Sequence, residues 1–341
     1  MKKLFIGIDF SKKTLDVSMF EPDNVSEVRY ERFDNSREGC EAMLNWVRSH
    51  TACKPQQWLF CGEDTGLYSV EAATFLTSKG MFVWLENALQ IKQSTGIKRD
   101  KTDKVDSRAI ARYACRFQDR AKAYRLPDES LTSLRQLLSF RDRLVRNRKA
   151  LMVAASEARK VYQHDATAGF IYEQSMEDVE HINKKIQAVE AKMKECIAQS
   201  EALQANYTLI TSIKGIALIN AVAILVCTKN FSSFANSRQF ACYAGLAPFG
   251  KQSGSSIKTA PHVSHLANKQ IKSLLMQAAR SAILHDPAFK AYYNRKTAEG
   301  KHHLVILNNI KNKMVHTMFA IVRNRKPYRV DYVNQLDRKT A

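Results

Sequence analysis

Apolar and polar positions change their period several times along the 341-residue chain. Leu4-Phe5-Ile6-Gly7-Ile8-Asp9 is a short apolar run that ends on an acid. Thr14–Phe20 and Glu27–Phe33 alternate with period two, as half-buried strands do. A helical pattern covers about 37–49. Trp58-Leu59-Phe60-Cys61 then reads as a buried strand running into the turn Gly62-Glu63-Asp64-Thr65-Gly66. A helix at about 69–78 and a strand at 81–85 follow. An antiparallel meander followed by βαβ units predicts an α/β domain.

Beyond that point the period becomes helical. Residues 128 to about 161 read as unbroken helix. Between about Glu173 and Leu203, the residues Val179, Ile182, Ile186, Val189, Met193 and Cys196 step by three and four with charges between them. That is a heptad seam, and it predicts a coiled-coil hairpin or a dimer stalk. The alternative is a long amphipathic helix packing on its own domain. From about Tyr207 a third region carries helical patterns through Leu225 and at 237–244, 266–284 and 304–322. The stretch 248–256, rich in Gly and Ser, reads as a loop. The expected organisation is a first domain over 1–125, a helical oligomerisation region over 126–205, a C-terminal domain over 206–330 and a tail over 331–341.

Charge narrows the function. The chain has a formal charge of +20, and 45% of its residues are hydrophobic, so it is globular and suited to a polyanion. No apolar run reaches the roughly 20 residues of a membrane span, and no signal-peptide pattern opens the chain, so nucleic acid is the expected partner and the cytoplasm the expected location. From residue 250 onward there are 17 Lys and Arg against 4 Asp and Glu. Lys296, Lys301, Lys311, Arg323 and Arg325 mark the expected nucleic-acid surface, with Tyr292, Tyr293 and Tyr328 placed to stack on bases. Seven dispersed cysteines with no Cys-x-x-Cys pair read as reduced thiols.

Four acids run against this basic background. Asp9 ends the first strand, Glu63 lies just past a later one, and Asp103 and Asp106 share one side of a helix that continues through Ala109, Ile110 and Tyr113. Converging carboxylates repel one another unless a cation joins them, and hard divalent ions such as Mg²⁺ favour such oxygen sets. Solvated turn and helix-end acids are the ordinary alternative. Gly7-Ile8-Asp9 also resembles the first phosphate loop of actin-like sugar kinases, but the later loops of that fold are missing.

The pieces Gly7-Ile8-Asp9-Phe10-Ser11-Lys12, Glu63-Asp64-Thr65-Gly66 and Lys101-Thr102-Asp103-Lys104-Val105-Asp106-Ser107-Arg108, in that order, resemble the DEDD transposases of IS110 insertion sequences and their relatives, the Piv-type DNA invertases. Ser237–Pro248 and Gln252-Ser253-Gly254-Ser255-Ser256 are similar to the C-terminal transposase domain of that family. The resemblance implies an α/β RNase H-like (RuvC-like) N-terminal domain, a helical coiled-coil middle and a mainly α C-terminal domain. It implies that Asp9, Glu63, Asp103 and Asp106 bind Mg²⁺, two ions per site, and that Ser253 is a nucleophile forming a phosphoserine link to cut DNA.

It further implies donor and target DNA as substrates, a structured guide RNA from the element's flank, and a homodimer or homotetramer in which Ser253 of one protomer meets the acids of another. Lys251 and Lys258 flank the Ser-Gly pair and would hold phosphate. The family's Pro-Gly-Ile-Gly turn is replaced here by Lys214-Gly215-Ile216-Ala217, where Lys214 would supply the phosphate contact. Two other functions remain open: a Piv-type invertase with the same chemistry, and a RuvC-like junction nuclease or nucleic-acid-binding protein that does not rejoin strands.

Overall fold

The computed structural model describes residues 2–24, 28–94, 96, 102–126, 128–253, 257–264 and 266–330, with the side chains of 24 and 251–260 outside that description. It divides into two compact units, 1–126 and 127–341.

The first unit is built on a five-stranded sheet. Strands β1 (Leu4–Phe10), β2 (Thr14–Phe20) and β3 (Arg29–Asp34) form the expected antiparallel meander, followed by α1 (Arg37–Ser49). Next come β4 (Trp58–Glu63), α2 (Leu67–Ser78), β5 (Val83–Glu86), α3 (Ala88–Ser94) and α4 (Asp103–Arg116). The order across the sheet is β3-β2-β1-β4-β5, with β4 and β5 parallel to β1.

Strand side chains alternate between faces, and the core follows that rule. Leu4, Ile6, Ile8, Leu15, Val17, Trp58 and Phe60 pack with Met43, Leu44 and Val47 of α1 and Ala72, Ala73 and Leu76 of α2. Phe5, Phe20, Leu59, Cys61 and Trp84 pack instead with Ile110, Ala111, Tyr113 and Ala114 of α4. Because α4 covers the second face, β2 is not half-buried as its alternation suggests. Asp16 and Ser18 are fully buried, and Ser18 Oγ shares a 2.8 Å hydrogen bond with Ser107 Oγ of α4.

Gly7 permits that approach. A Cβ at this position would overlap the Ser107 carbonyl oxygen and the Ala111 amide nitrogen, which are backbone atoms that cannot swing aside. Thr102 caps the helix, its hydroxyl accepting from the Val105 amide at 3.3 Å.

The second unit is helical apart from one hairpin. Helices α5 (Glu129–Val161) and α6 (Ala166–Ala198), 33 residues each, form an antiparallel pair about 50 Å long. The heptad residues Ile186, Val189, Met193 and Cys196 are buried in one core with Leu134, Leu138 and Leu144 of α5, so the seam is closed within a single chain. Arg141 Nε to Glu190 at 2.6 Å and Arg148 to Asn183 at 2.7 Å tie the two helices together.

Then follow α7 (Glu201–Thr211), α8 (Leu218–Thr228), α9 (Ser237–Tyr243), β6 (Pro248–Ser253), β7 (Ile257–Val263), α10 (Lys269–His285), α11 (Pro287–Ala298) and α12 (His303–Asn324). Residues 248–253 of the segment expected to be a loop therefore form one arm of an antiparallel hairpin, with Lys251 opposite Thr259 and Ser253 opposite Ile257. Its Gly and Ser composition concealed a ladder made by backbone groups. Among the described residues no helix is long and apolar enough to cross a membrane, and all seven cysteines are free.

Candidate functional site

The acids of the first unit are assembled by strand register. Asp9 lies opposite Asp16, and Asp16 lies opposite Arg32. Across the parallel pairings Ile8 aligns with Gly62, and Glu63 aligns with Glu86. One row of the sheet therefore reads Arg32, Asp16, Asp9, Glu63 and Glu86, at the level where β1 ends and on the face that α4 covers. The first turn of α4 brings Asp103 and Asp106 to that row.

Asp9 reports the crowding. Partial burial, followed by the charges of Asp106, Glu63, Asp103 and Asp16, pushes its carboxyl from 3.8 up to about 6. The four acids expected from sequence thus share one electrostatic neighbourhood. Their donors are all hard oxygens and fit a divalent cation in type. Among the described residues, no group of three or more acids, histidines or cysteines is placed to hold a metal ion.

The shift carries a stability consequence. A carboxyl whose folded pKa is raised contributes stability that is full below the unfolded value, here 3.8, and is lost as pH rises through about 6. At neutral pH the charged Asp9 therefore opposes folding. Asp9→Asn is expected to stabilise metal-free protein at pH 7.5 by about 1–2 kcal/mol, a figure discounted for the partial exposure of the group. Urea unfolding in a chelator would measure it. The gain should vanish near pH 4, and a loss of stability at pH 7.5 would show that the acids are not crowded.

Reading the sequence missed three members of the row. Asp16 accepts from Tyr30 Oη at 2.6 Å and from Arg32 Nε at 2.9 Å. Arg32 also reaches Asp103 at 3.1 Å. Glu86 accepts from Tyr113 Oη at 3.2 Å. Their only sequence signal was period: Asp16 and Arg32 occupy the same phase of their strands as Phe20 and Tyr30. On the far side of α4, Arg108, Arg112 and Arg116 recur every fourth residue and line a hollow of about 270 Å³ with Ser94 and Tyr113. Arg108 Nε is buried there without a hydrogen-bond partner among the described residues.

In the second unit, Ser253 closes β6, but its side chain and those of Lys251 and Lys258 lie outside the described residues, as does Gly254 altogether. Lys214 is exposed in the turn between α7 and α8. Gly215 beside it has φ +93°, and a Cβ there would overlap the Ala278 carbonyl oxygen, so this glycine seats the turn on α10.

The expected basic surface divides. Lys301 and Arg323 are exposed. Lys296 is held by Glu299 at 2.6 Å. Arg325 is exposed but donates to Asn206 at 2.7 Å from the C-cap of α12. Tyr292 faces Arg295 and Lys313, whereas Tyr328 stacks on Phe289.

Lys311 departs furthest from expectation. It is 1% exposed, inside the core that α10 and α12 share, and burial together with the charge of Lys272 lowers its pKa to about 8. Helical phase places it between Leu307 and Met314, on the buried stripe of α12. A buried ammonium beside another cation opposes folding. Lys311→Met, of similar length and uncharged, is expected to stabilise the protein by roughly 1–2 kcal/mol at pH 7. The gain should shrink as pH rises from about 8 toward 10.5, where the lysine already folds neutral. Thermal unfolding at pH 7 and pH 9.5 tests both statements.

The first unit carries a crowded acid row on an α/β sheet and the second is helical, in a chain whose positive surplus suits a polyanionic partner. A DEDD transposase model of the IS110 type matches residues 6–157, and the model of the transposase IS116/IS110/IS902 family matches residues 207–294. Together they span most of the chain, which belongs to the IS110 family of transposases. It is 26% identical over 336 residues to the pilin gene-inverting protein of Moraxella bovis, covering 96% of this chain and 98% of that one. The pilin gene-inverting protein of Moraxella lacunata is similar to the same extent. An uncharacterized 43.6 kDa protein of insertion element IS110 from Streptomyces coelicolor is 32% identical over 149 residues, 43% of this chain and 36% of that one.

Proposed function

We propose that this protein cuts and rejoins DNA by transesterification, with Asp9, Glu63, Asp103 and Asp106 holding Mg²⁺, two ions per site, and Ser253 as nucleophile. The observation that carries the reading is the acid row around Asp9, whose mutual repulsion a cation would relieve. The fold is read as RNase H-like, since the meander followed by parallel strands and a covering helix fits that arrangement.

Bound Mg²⁺ would withdraw charge from the phosphoryl oxygens and lower the pKa of an attacking hydroxyl. Ser253 Oγ attacks phosphorus and its proton leaves to solvent or a base. The P–O bond to the departing strand breaks, and a phosphoserine ester replaces it. A hydroxyl of the incoming strand then attacks that ester and releases Ser253. One phosphodiester is exchanged for another, so no nucleotide hydrolysis is required. Lys214, Lys301 and Arg323 would hold backbone phosphates, with Lys251 and Lys258 beside the Ser-Gly pair. The arginines of α4 add a second basic stripe.

A structured guide RNA would read sequence by base pairing while the protein reads backbone shape, and two or more protomers would join the two DNA sites. The second reading is a site-specific invertase. It is favoured by the end-to-end similarity to the two pilin gene-inverting proteins.

The test is strand joining on the chain's native flanking DNA, with divalent ions supplied or chelated, in wild type, Asp9→Asn and Asp106→Asn. Joining should need the ion and fall below detection in both variants, although Asp9→Asn folds more stably. Joining that persists in the variants or in chelator would sink the carboxylate site.

A further inference from the structure

We propose that Arg32 is a positioning residue of the acid row: anchored on Asp16, its guanidinium holds Asp103 as an internal counter-ion and releases it when a divalent cation arrives. The inference rests on the carboxylate-site reading above. Its geometry is built by two cross-strand pairings, Asp9 opposite Asp16 and Asp16 opposite Arg32. Asp16 is a buried anchor with a side chain 2% exposed, fixed further by the 2.6 Å bond from Tyr30. From it one guanidinium reaches both ways, 2.9 Å to Asp16 and 3.1 Å to Asp103.

Two properties suit Arg32 to this task. Arginine does not lose its proton at any working pH, so it leaves a carboxylate only by rotating away. Rotation is open to it, because β3 is the edge strand and the Arg32 side chain is 52% exposed. Asp103, 61% exposed at the first residue of α4, would otherwise turn freely into solvent. Arg32 thus keeps Asp103 facing the row while the carboxylates around Asp9 lack a cation, and it repels any ion that takes its place. The repulsion outweighs the ordering, since an aspartate has few rotamers to lose.

The experiment is titration of metal-free, full-length protein with Mn²⁺ at low salt, followed by electron paramagnetic resonance. Arg32→Gln should bind Mn²⁺ roughly three- to tenfold more tightly, the scale of one exposed ion pair plus one removed positive charge. Damage to the fold would weaken binding instead. Arg32→Lys keeps the charge but cannot fork between two carboxylates, so its affinity should lie between wild type and Arg32→Gln. Arg32→Gln binding no more tightly than wild type, or Arg32→Lys matching wild type, overturns the proposal. If wild type itself shows no Mn²⁺ site that Asp106→Asn weakens, the carboxylate reading falls first and takes this inference with it.

Discussion

Ser253→Ala is expected to leave no covalent protein–DNA product and to reduce strand joining by at least about 10⁴-fold, the scale seen when a covalent nucleophile is removed. A serine hydroxyl is a weak nucleophile until it is activated, and no other atom of the side chain substitutes for Oγ. Ser253 ends β6 and pairs through its backbone with Ile257, so removing Oγ leaves the ladder intact and a folding defect is not expected. Ser255→Ala and Ser256→Ala are the neighbouring controls and should retain the adduct. The measurement is denaturing electrophoresis of protein trapped on its native flanking DNA. Cleavage surviving in Ser253→Ala, with no adduct, would make water the nucleophile and the protein a hydrolytic nuclease.

The second large effect is structural and lies far from Ser253 in sequence. Gly7→Ala is expected to destabilise the protein by about 3 kcal/mol, at the upper end for an overpacked core, and to lower joining by roughly 10²-fold through displacement of the acids. The new methyl would meet backbone atoms of Ser107 and Ala111 on both sides of the turn that carries Ser107. Helix α4 would have to lift from β1. Asp103 and Asp106 ride on its first turn, so they would leave the neighbourhood of Asp9 together. Thermal unfolding and the joining assay measure the two arms. A Gly7→Ala protein with wild-type stability and activity would mean that α4 does not rest on β1 as described.

Much of this was legible in the chain itself. Period two and period 3.6 are local properties, so strands β1 to β5 and helices α1, α2, α5, α6, α8, α9, α10 and α12 were expected close to where they lie. Asp9, Glu63, Asp103 and Asp106 were singled out because acids at strand ends and on one helix face are unusual in so basic a chain. Short α3 and α11 were not anticipated, since each buries a single residue, Ile91 and Phe289, and one apolar position sets no period. Strand β6 lies within the stretch 248–256 that composition reads as a loop, because its residues are those of turns while its pairing with β7 is a backbone property.

The sequence by itself determined most kinds of element, the basic balance, and the phase of each acid on its own strand or helix. Each depends on residues near one another along the chain. Tertiary structure alone decided which strand lies beside which, and so put Asp16 and Arg32 next to Asp9 and turned Asp16 from a surface residue into a buried anchor. It also decided that Lys311 faces the core and that the heptad seam closes on α5 of the same chain. Register and burial are set by contacts between residues distant in sequence. No local period records them.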